Sequence, residues 1–199
     1  MMDVALIDAG GANLGSVRYA LARLGIEARL VREGGELGDP DRIVLPGVGA
    51  AAEAMRLLDA RGLPAALRAH TAPMLGICLG MQLLYEHSEE GDVTCLGLLP
   101  GRVRAMRERP GVRVPHMGWN AIHPVRASFL LEGVEAGAQA YFVHGFAVQV
   151  GGECVAASTH GDDFAAMVHQ GRICGTQFHP ERSSSLGARV LANFVRWAA

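Results

Sequence analysis

Three residues of this chain could together carry nucleophilic catalysis. Cys78 stands in Pro73-Met74-Leu75-Gly76-Ile77-Cys78-Leu79-Gly80-Met81-Gln82, where an apolar run stops at a cysteine bracketed by glycines and a helical pattern starts just beyond. That is the outline of a nucleophile elbow: a strand enters a tight turn, the thiol projects at its apex, and the glycines let the strained backbone close without side-chain collisions. A helix start directly after the cysteine favours thiolate over thiol through its unpaired amides and positive end. A free cysteine can equally be a small, buried apolar side chain. Far downstream, Gly175-Thr176-Gln177-Phe178-His179-Pro180-Glu181 ends a β-prone run, Ile173 to Phe178, on a histidine with a carboxylate two positions later. A thiol nucleophile needs a base within hydrogen-bond reach, and the base needs a partner that fixes its tautomer. Cys78, His179 and Glu181 supply those three roles. Taken singly, His179 could be a strand-end histidine held by a backbone bond and Glu181 an exposed charge.

The elements around them must bring the two motifs together. If parallel strands ending at Ile77 and Phe178 share one sheet, both motifs emerge at its carboxyl edge, where open α/β sheets place their sites. Val4 to Ile7 reads as a first buried strand, followed by helical spacing of Leu14, Val17, Leu21 and Leu24 up to Gly25. Ala28 to Val31 and Arg42 to Leu45 read as the next strands, then helices from Ala50 to Ala60 and Leu63 to Ala69 precede a strand at Met74 to Ile77. This order predicts a mostly parallel sheet in a three-layer αβα fold. After Leu98 the pattern changes to short strands around Val103, Val112, Val114 and Tyr141 to Val150, expected in part as antiparallel additions. Leu186, Val190, Leu191, Phe194 and Val195 mark a last helix over Ser184 to Ala199. With no linker, repeat or low-complexity segment, residues 1–199 are expected to form a single domain.

Composition narrows the chemistry. The chain has 199 residues, half of them apolar, and a net charge of -2 from 18 basic and 20 acidic residues, so nothing points to nucleic acid or an anionic membrane surface. Every basic residue is arginine, which excludes a Schiff-base lysine. The apolar runs are too short to cross a bilayer and Met1-Met2-Asp3-Val4 carries no basic signal region, so a cytoplasmic location is expected. Cys78, Cys95, Cys154 and Cys174 are widely spaced and the histidines lack metal-ligand spacing, so neither a metal nor another cofactor is expected.

Two glycine-rich stretches invite function. Asp8-Ala9-Gly10-Gly11-Ala12-Asn13-Leu14-Gly15 follows the first strand as a dinucleotide loop would, but Ala12 occupies the second glycine position of G-x-G-x-x-G, and Asn13 as a helix cap is the plainer reading. Pro46-Gly47-Val48-Gly49 follows a strand at the same sheet edge as Cys78. Its amides, with that of Leu79, could face a developing oxyanion, or the segment could be a plain turn.

With G-I-C-L-G-M-Q at 76 to 82 and F-H-P-E at 178 to 181, the chain resembles the class I (triad) glutamine amidotransferases, whose fold is flavodoxin-like. The resemblance implies that Cys78 attacks the side-chain amide of glutamine, His179 moves the proton and Glu181 orients it. Further segments, P-G-V-G at 46 to 49, G-L-L-P-G-R-V at 97 to 103, V-P-H-M-G-W-N at 114 to 120 and Y-F-V-H at 141 to 144, are similar to the glutaminase subunits of imidazole glycerol phosphate synthases. That likeness implies an oxyanion strand at Gly47, Val48 and Gly49, and glutamine held by Gln82 and by the backbone of Gly145 and Phe146. It also implies a heterodimer with a (β/α)8 cyclase subunit that receives ammonia, met by Asn13, His116, Trp119, Asn120, Tyr141 and Arg182. For His116 and Trp119, internal loop packing is the alternative.

The chain departs from the family pattern at Ala9 and Ala12 in the first loop, at Gly145 where serine is common, and at Arg182 where lysine is common. Other glutaminases of the class, of the pyridoxal-phosphate, anthranilate or GMP synthase type, would share the triad but not P-G-V-G together with P-H-M-G-W-N. A stand-alone thiol hydrolase would carry its histidine beside the elbow. A catalytically silent, partner-binding subunit is the non-enzyme reading, against which the intact triad stands.

Overall fold

Successive side chains of a strand point to opposite faces, and the buried residues of this chain divide accordingly. The computed structural model describes residues 2–10 and 13–197. Val4 and Leu6 of β1 (Val4–Ile7) pack into one apolar cluster, while Ala5 and Ile7 pack into the other. β2 (Ala28–Val31), β3 (Arg42–Gly47) and β4 (Met74–Cys78) follow the same rule as far as Ile77, and Cys78 departs from it by joining the cluster of Ile77. Short strands come next: β5 (His87–Ser88), β6 (Val93–Thr94), β7 (Arg102–Ala105), β8 (His116–Ala121), β9 (His123–Pro124), β10 (Gln139–His144) and β11 (Phe146–Ala147). The last are β12 (Cys154–His160), β13 (Asp162–Gln170) and β14 (Ile173–Thr176).

The main sheet has the order β2-β1-β3-β4-β14-β13-β12-β9. From β2 through β14 the neighbours are parallel, and β13, β12 and β9 extend the sheet antiparallel. On one face, α1 (Leu14–Ala22) contributes Val17 and Leu21 to the cluster that holds Leu75 and Ile77. On the other, α2 (Ala51–Ala60) and α3 (Leu63–Ala69) bring Met55, Leu58 and Leu67 against Ile43 and Leu45. After the single turn of α4 (Leu79–Gln82), the closing helix α5 (Ser184–Arg196) lays Val190, Leu191 and Phe194 beside α1. The fold is three-layer αβα with a mostly parallel central sheet and antiparallel additions, as the strand and helix order predicts. Among the described residues no helix is long and apolar enough to cross a membrane.

The strands expected around Val112 and Val114 reduce to an isolated Arg109–Val112 bridge, and three further details lie beyond the sequence pattern. The helix after Cys78 lasts one turn because the carbonyls of Leu83, Leu84 and Tyr85 are taken by the amides of Leu96, Leu98 and Gly97 instead of by a continuing helix. The long β12–β13 pair was not anticipated; Gly161, with φ of 75°, makes its turn. Asn13 makes no side-chain cap bond to α1. Ala12, and the end of the last helix at 198 and 199, lie outside the described residues.

Candidate active site

Register places the two motifs side by side. Gly47 of β3 is opposite Cys78 of β4, and Thr176 of β14 is opposite Ile77, so the three parallel strands deliver the 48–49 loop, the cysteine and the 177–181 segment to one carboxyl edge. At that edge Cys78 has φ of 54° and ψ of -114°, a conformation that L-residues adopt only when their surroundings impose it. The surroundings are backbone on backbone. A Cβ on Gly76 would lie 2.6 Å from Met81 Cα and 2.7 Å from the Gly80 carbonyl oxygen, and one on Gly47 would lie 2.8 Å from the Gly80 nitrogen. A Cβ on Gly80 would strike the Leu45 carbonyl. The glycines around Cys78 are therefore needed for close approach of β3, β4 and α4.

His179 is fixed from both sides. Its amide donates to the Tyr141 carbonyl at 3.0 Å, and its own carbonyl accepts from the Ser183 hydroxyl at 2.7 Å. In the side chain, Nδ1 donates to Glu181 Oε1 at 2.8 Å, which leaves Nε2 as the nitrogen available to the thiol. The Glu181 side chain is fully buried. Asn13 Nδ2 also donates to Glu181 Oε1, so the half-buried Asn13 supports the triad. Burial alone would lower the pKa of His179, but hydrogen bonds to Cys78 and Glu181, and their negative charge, outweigh it and push the imidazole up to about 10. Removing the thiol takes away one of the two raising partners. A Cys78→Ala chain should therefore show a downward-shifted His179 titration by nitrogen NMR, and an unchanged titration would mean that the thiol does not engage the ring.

Cys78 and His179 share a cavity of about 210 Å³ with Val48, Gly49, Leu79, Gln82 and Phe146. Gly47 and Gly145 sit just outside its lining, each one residue from a member of it. Gln82 Nε2 donates to the Phe146 carbonyl at 2.9 Å and to Gln177 Oε1 at 3.0 Å, leaving Gln82 Oε1 with no protein partner among the described residues. Four residues of the site escaped sequence reasoning. Gln177 Nε2 lies 3.8 Å from Cys78 Sγ, the Val143 carbonyl 3.7 Å from it, and both Glu90 and His144 line the cavity. Gln177 was within the quoted histidine motif, whereas Glu90 sits in Glu86-His87-Ser88-Glu89-Glu90, which reads as a solvated charge run.

The expected partner-facing residues divide. Trp119 is 54% exposed and meets Tyr141 edge to face at 5.9 Å, with the Arg182 guanidinium 5.4 Å from the Tyr141 ring centre. His116 instead is 4% exposed, stacked between Phe142 and His160, and Asn120 is turned inward to donate to His116 and to the Thr159 carbonyl. For His116 the internal-packing alternative is the one observed. At the first loop, Asp8 is occupied by Arg32 and Arg61, and its carboxylate takes the Gly10 amide, a closed arrangement unlike a phosphate cradle.

Comparison with known proteins agrees with this geometry. The family model for class-I glutamine amidotransferases matches residues 5–197. The chain is 63% identical over 195 residues to the imidazole glycerol phosphate synthase subunit HisH of Xanthomonas oryzae pv. oryzae (strain MAFF 311018), covering 98% of each. It is 60% identical over 199 residues to the subunit of the same name from Xylella fastidiosa (strain Temecula1), covering 100% of each. Among solved structures, one described as a glutamine amidotransferase superposes with a TM-score of 0.74 at 22% identity, covering 96% of both chains. PurLQS from Thermotoga maritima does so with 0.72 at 21%, covering 97% of both. Those two likenesses concern the fold, while the full-length identities reach further: the chain belongs to the class-I glutamine amidotransferase family and, within it, groups with the HisH subunits of imidazole glycerol phosphate synthase.

Proposed function

We propose that this chain, acting as one domain, is the glutaminase subunit of an imidazole glycerol phosphate synthase. It hydrolyses glutamine to glutamate and ammonia and passes the ammonia to a (β/α)8 cyclase subunit in a heterodimer of histidine biosynthesis. The observation that carries the reading is the convergence of the strained Cys78 and the His179–Glu181 pair on one small cavity. At about 210 Å³ that cavity lies below the roughly 300–1,000 Å³ of drug-sized sites and suits a single amino acid.

The reaction follows from the groups present. Cys78 Sγ attacks the side-chain amide carbon, the carbonyl electron pair moves onto oxygen, and amides at Val48 and Leu79 receive that negative charge. His179, protonated and held by Glu181, donates to the departing nitrogen as the carbon–nitrogen bond breaks, which releases ammonia. Water then adds to the glutamyl thioester, His179 accepts its proton, and the thiolate leaves as glutamate forms. Gln82 Oε1 and the Glu90 carboxylate take the α-ammonium of the substrate, and the amides at Gly145 and Phe146 its α-carboxylate. A partner face at Trp119, Tyr141 and Arg182, extended by the 65% exposed Met117, offers apolar and cationic area beside the site.

The test is glutamate release from glutamine by the purified chain, alone and with its cognate cyclase and that enzyme's nucleotide ligand. Release that rises with the partner supports the proposal, and no release under any condition overturns it. The oxyanion assignment is tested separately. Val48→Pro deletes one amide donor and should lower kcat of the complex by about 10²- to 10³-fold with little change in KM, whereas full activity would remove Val48 from that role.

A further inference from the structure

A chain of hydrogen bonds runs from the β8 strand to the glutamine cavity, and its direction is fixed at both ends. His144 Nδ1 lies 2.8 Å from the Phe146 carbonyl, which can only accept, so Nδ1 carries the proton. A neutral His144 then accepts at Nε2, and the atom 3.0 Å away, His116 Nδ1, must donate to it. His116 Nε2 is in turn an acceptor, facing Asn120 Nδ2 at 3.3 Å. Asn120 spends its other hydrogen on the Thr159 carbonyl. Protonating either ring would set donor against donor. Burial, with the nearby charge of His160, lowers His116 to about 4, and burial lowers His144 to about 3, so both rings are neutral near pH 7.

The other end of the chain is the glutamine site. The Phe146 carbonyl accepts from His144 and from Gln82 Nε2, and Gln177 Oε1 takes the second hydrogen of that amide. Gln82 can turn only its Oε1, an acceptor, to the cavity; the flipped amide would press oxygen against two oxygens. Without His116, the buried Nε2 of His144 loses its donor and the ring is free to turn away from the Phe146 carbonyl, which removes one of the two donors that hold that carbonyl and loosens the anchor of Gln82.

We infer that His116 is a positioning residue for glutamine: as a neutral ring with its proton on Nδ1 it donates to His144 Nε2 and holds that ring on the Phe146 carbonyl, so that Gln82 keeps an acceptor turned to the substrate's α-ammonium. This rests on the glutaminase reading above and adds to it a means of discrimination. Glutamine is selected over amides that lack the ammonium by a side chain one hydrogen bond behind the cavity-lining His144.

The test compares glutamine with glutaramate, the same molecule without the α-ammonium, using the assembled complex. His116→Leu should raise KM for glutamine by about 10-fold, the value of a hydrogen bond to a charged group, leaving kcat within about threefold. Hydrolysis of glutaramate should be unaffected, so discrimination falls by the same factor. His116→Gln, which keeps one donor and one acceptor, should restore discrimination to within about threefold. In the wild type, nitrogen NMR should show both rings as the Nδ1–H tautomer, a readout that does not depend on activity or on the variant folding. An Nε2–H tautomer at His116, an unchanged KM in His116→Leu, or an equal loss for both substrates overturns the positioning role alone. A wild-type complex that hydrolyses no glutamine overturns the glutaminase reading itself.

Discussion

Cys78→Ala lowers glutamate release by about 10⁴- to 10⁶-fold, because nothing else in the cavity can form the covalent intermediate. Gln177 and the Val143 carbonyl contact the sulfur without being nucleophiles, and the other cysteines are distant in role as well as in sequence. Burial pushes Cys95 and Cys154 up to about 11, and Cys174 higher still, so each remains an unreactive thiol. The same substitution leaves the fold intact. Alanine at position 78 meets the same φ of 54° as cysteine and loses only a sulfur atom, so thermal unfolding should shift by no more than about 1 kcal/mol in stability. A variant that is both inactive and unfolded would fail to separate chemistry from structure, so stability is measured on the same preparation. Residual activity near the wild-type level would remove Cys78 from the mechanism.

Gly80→Ala has the largest expected effect on stability. The new methyl would collide with the Leu45 carbonyl oxygen and sit 2.8 Å from the Leu45 carbonyl carbon, both backbone atoms of a central strand. Side chains can rotate away from an added group, but a paired strand cannot move without losing its neighbours on both sides. The expected cost is about 3 kcal/mol or more, a fall in Tm of about 6–12 °C for a chain of this size. Gly15→Ala is the control, since nothing lies within 4 Å of its added Cβ and alanine is the better helix former. It should be neutral or stabilising by up to about 1 kcal/mol. Equal Tm values for the two variants would mean that the close approach of α4 to β3 is not required.

What could be read from the sequence was what local pattern determines. The strand at Ala28 to Val31 and the helix at Leu63 to Ala69 keep their bounds because their apolar spacing matches the face they bury. The elbow was legible because glycines at 76 and 80 answer a local steric demand, and the pairing of Cys78 with His179 because Cys78 ends one parallel strand and His179 follows three residues after the end of its neighbour. What failed to show was set by tertiary partners. The helix after Cys78 stops when the 96–99 segment captures its carbonyls, and nothing in Leu83-Leu84-Tyr85 announces that capture. Asn13 is of a residue type that caps helices, but its side chain is turned to donate to Glu181, far away in sequence, and accepts from no amide of α1. His116 stands beside the exposed Trp119 in one motif, yet strand alternation sends the two side chains to different surroundings. Its hydrogen bonds to His144 and Asn120 depend on the β8–β10 pairing.

The central claim is that Cys78 takes up the glutamyl group, and the most direct measurement of it is covalent labelling of the complex. A glutamine analogue with a diazoketone in place of its side-chain amide is offered to the chain bound to its cyclase, and the digested protein is read by mass spectrometry. The expected result is a single adduct on the peptide that carries Cys78, suppressed by excess glutamine and absent from Cys95, Cys154 and Cys174. An adduct on another cysteine, or none on Cys78 in a complex that still releases glutamate, would contradict it.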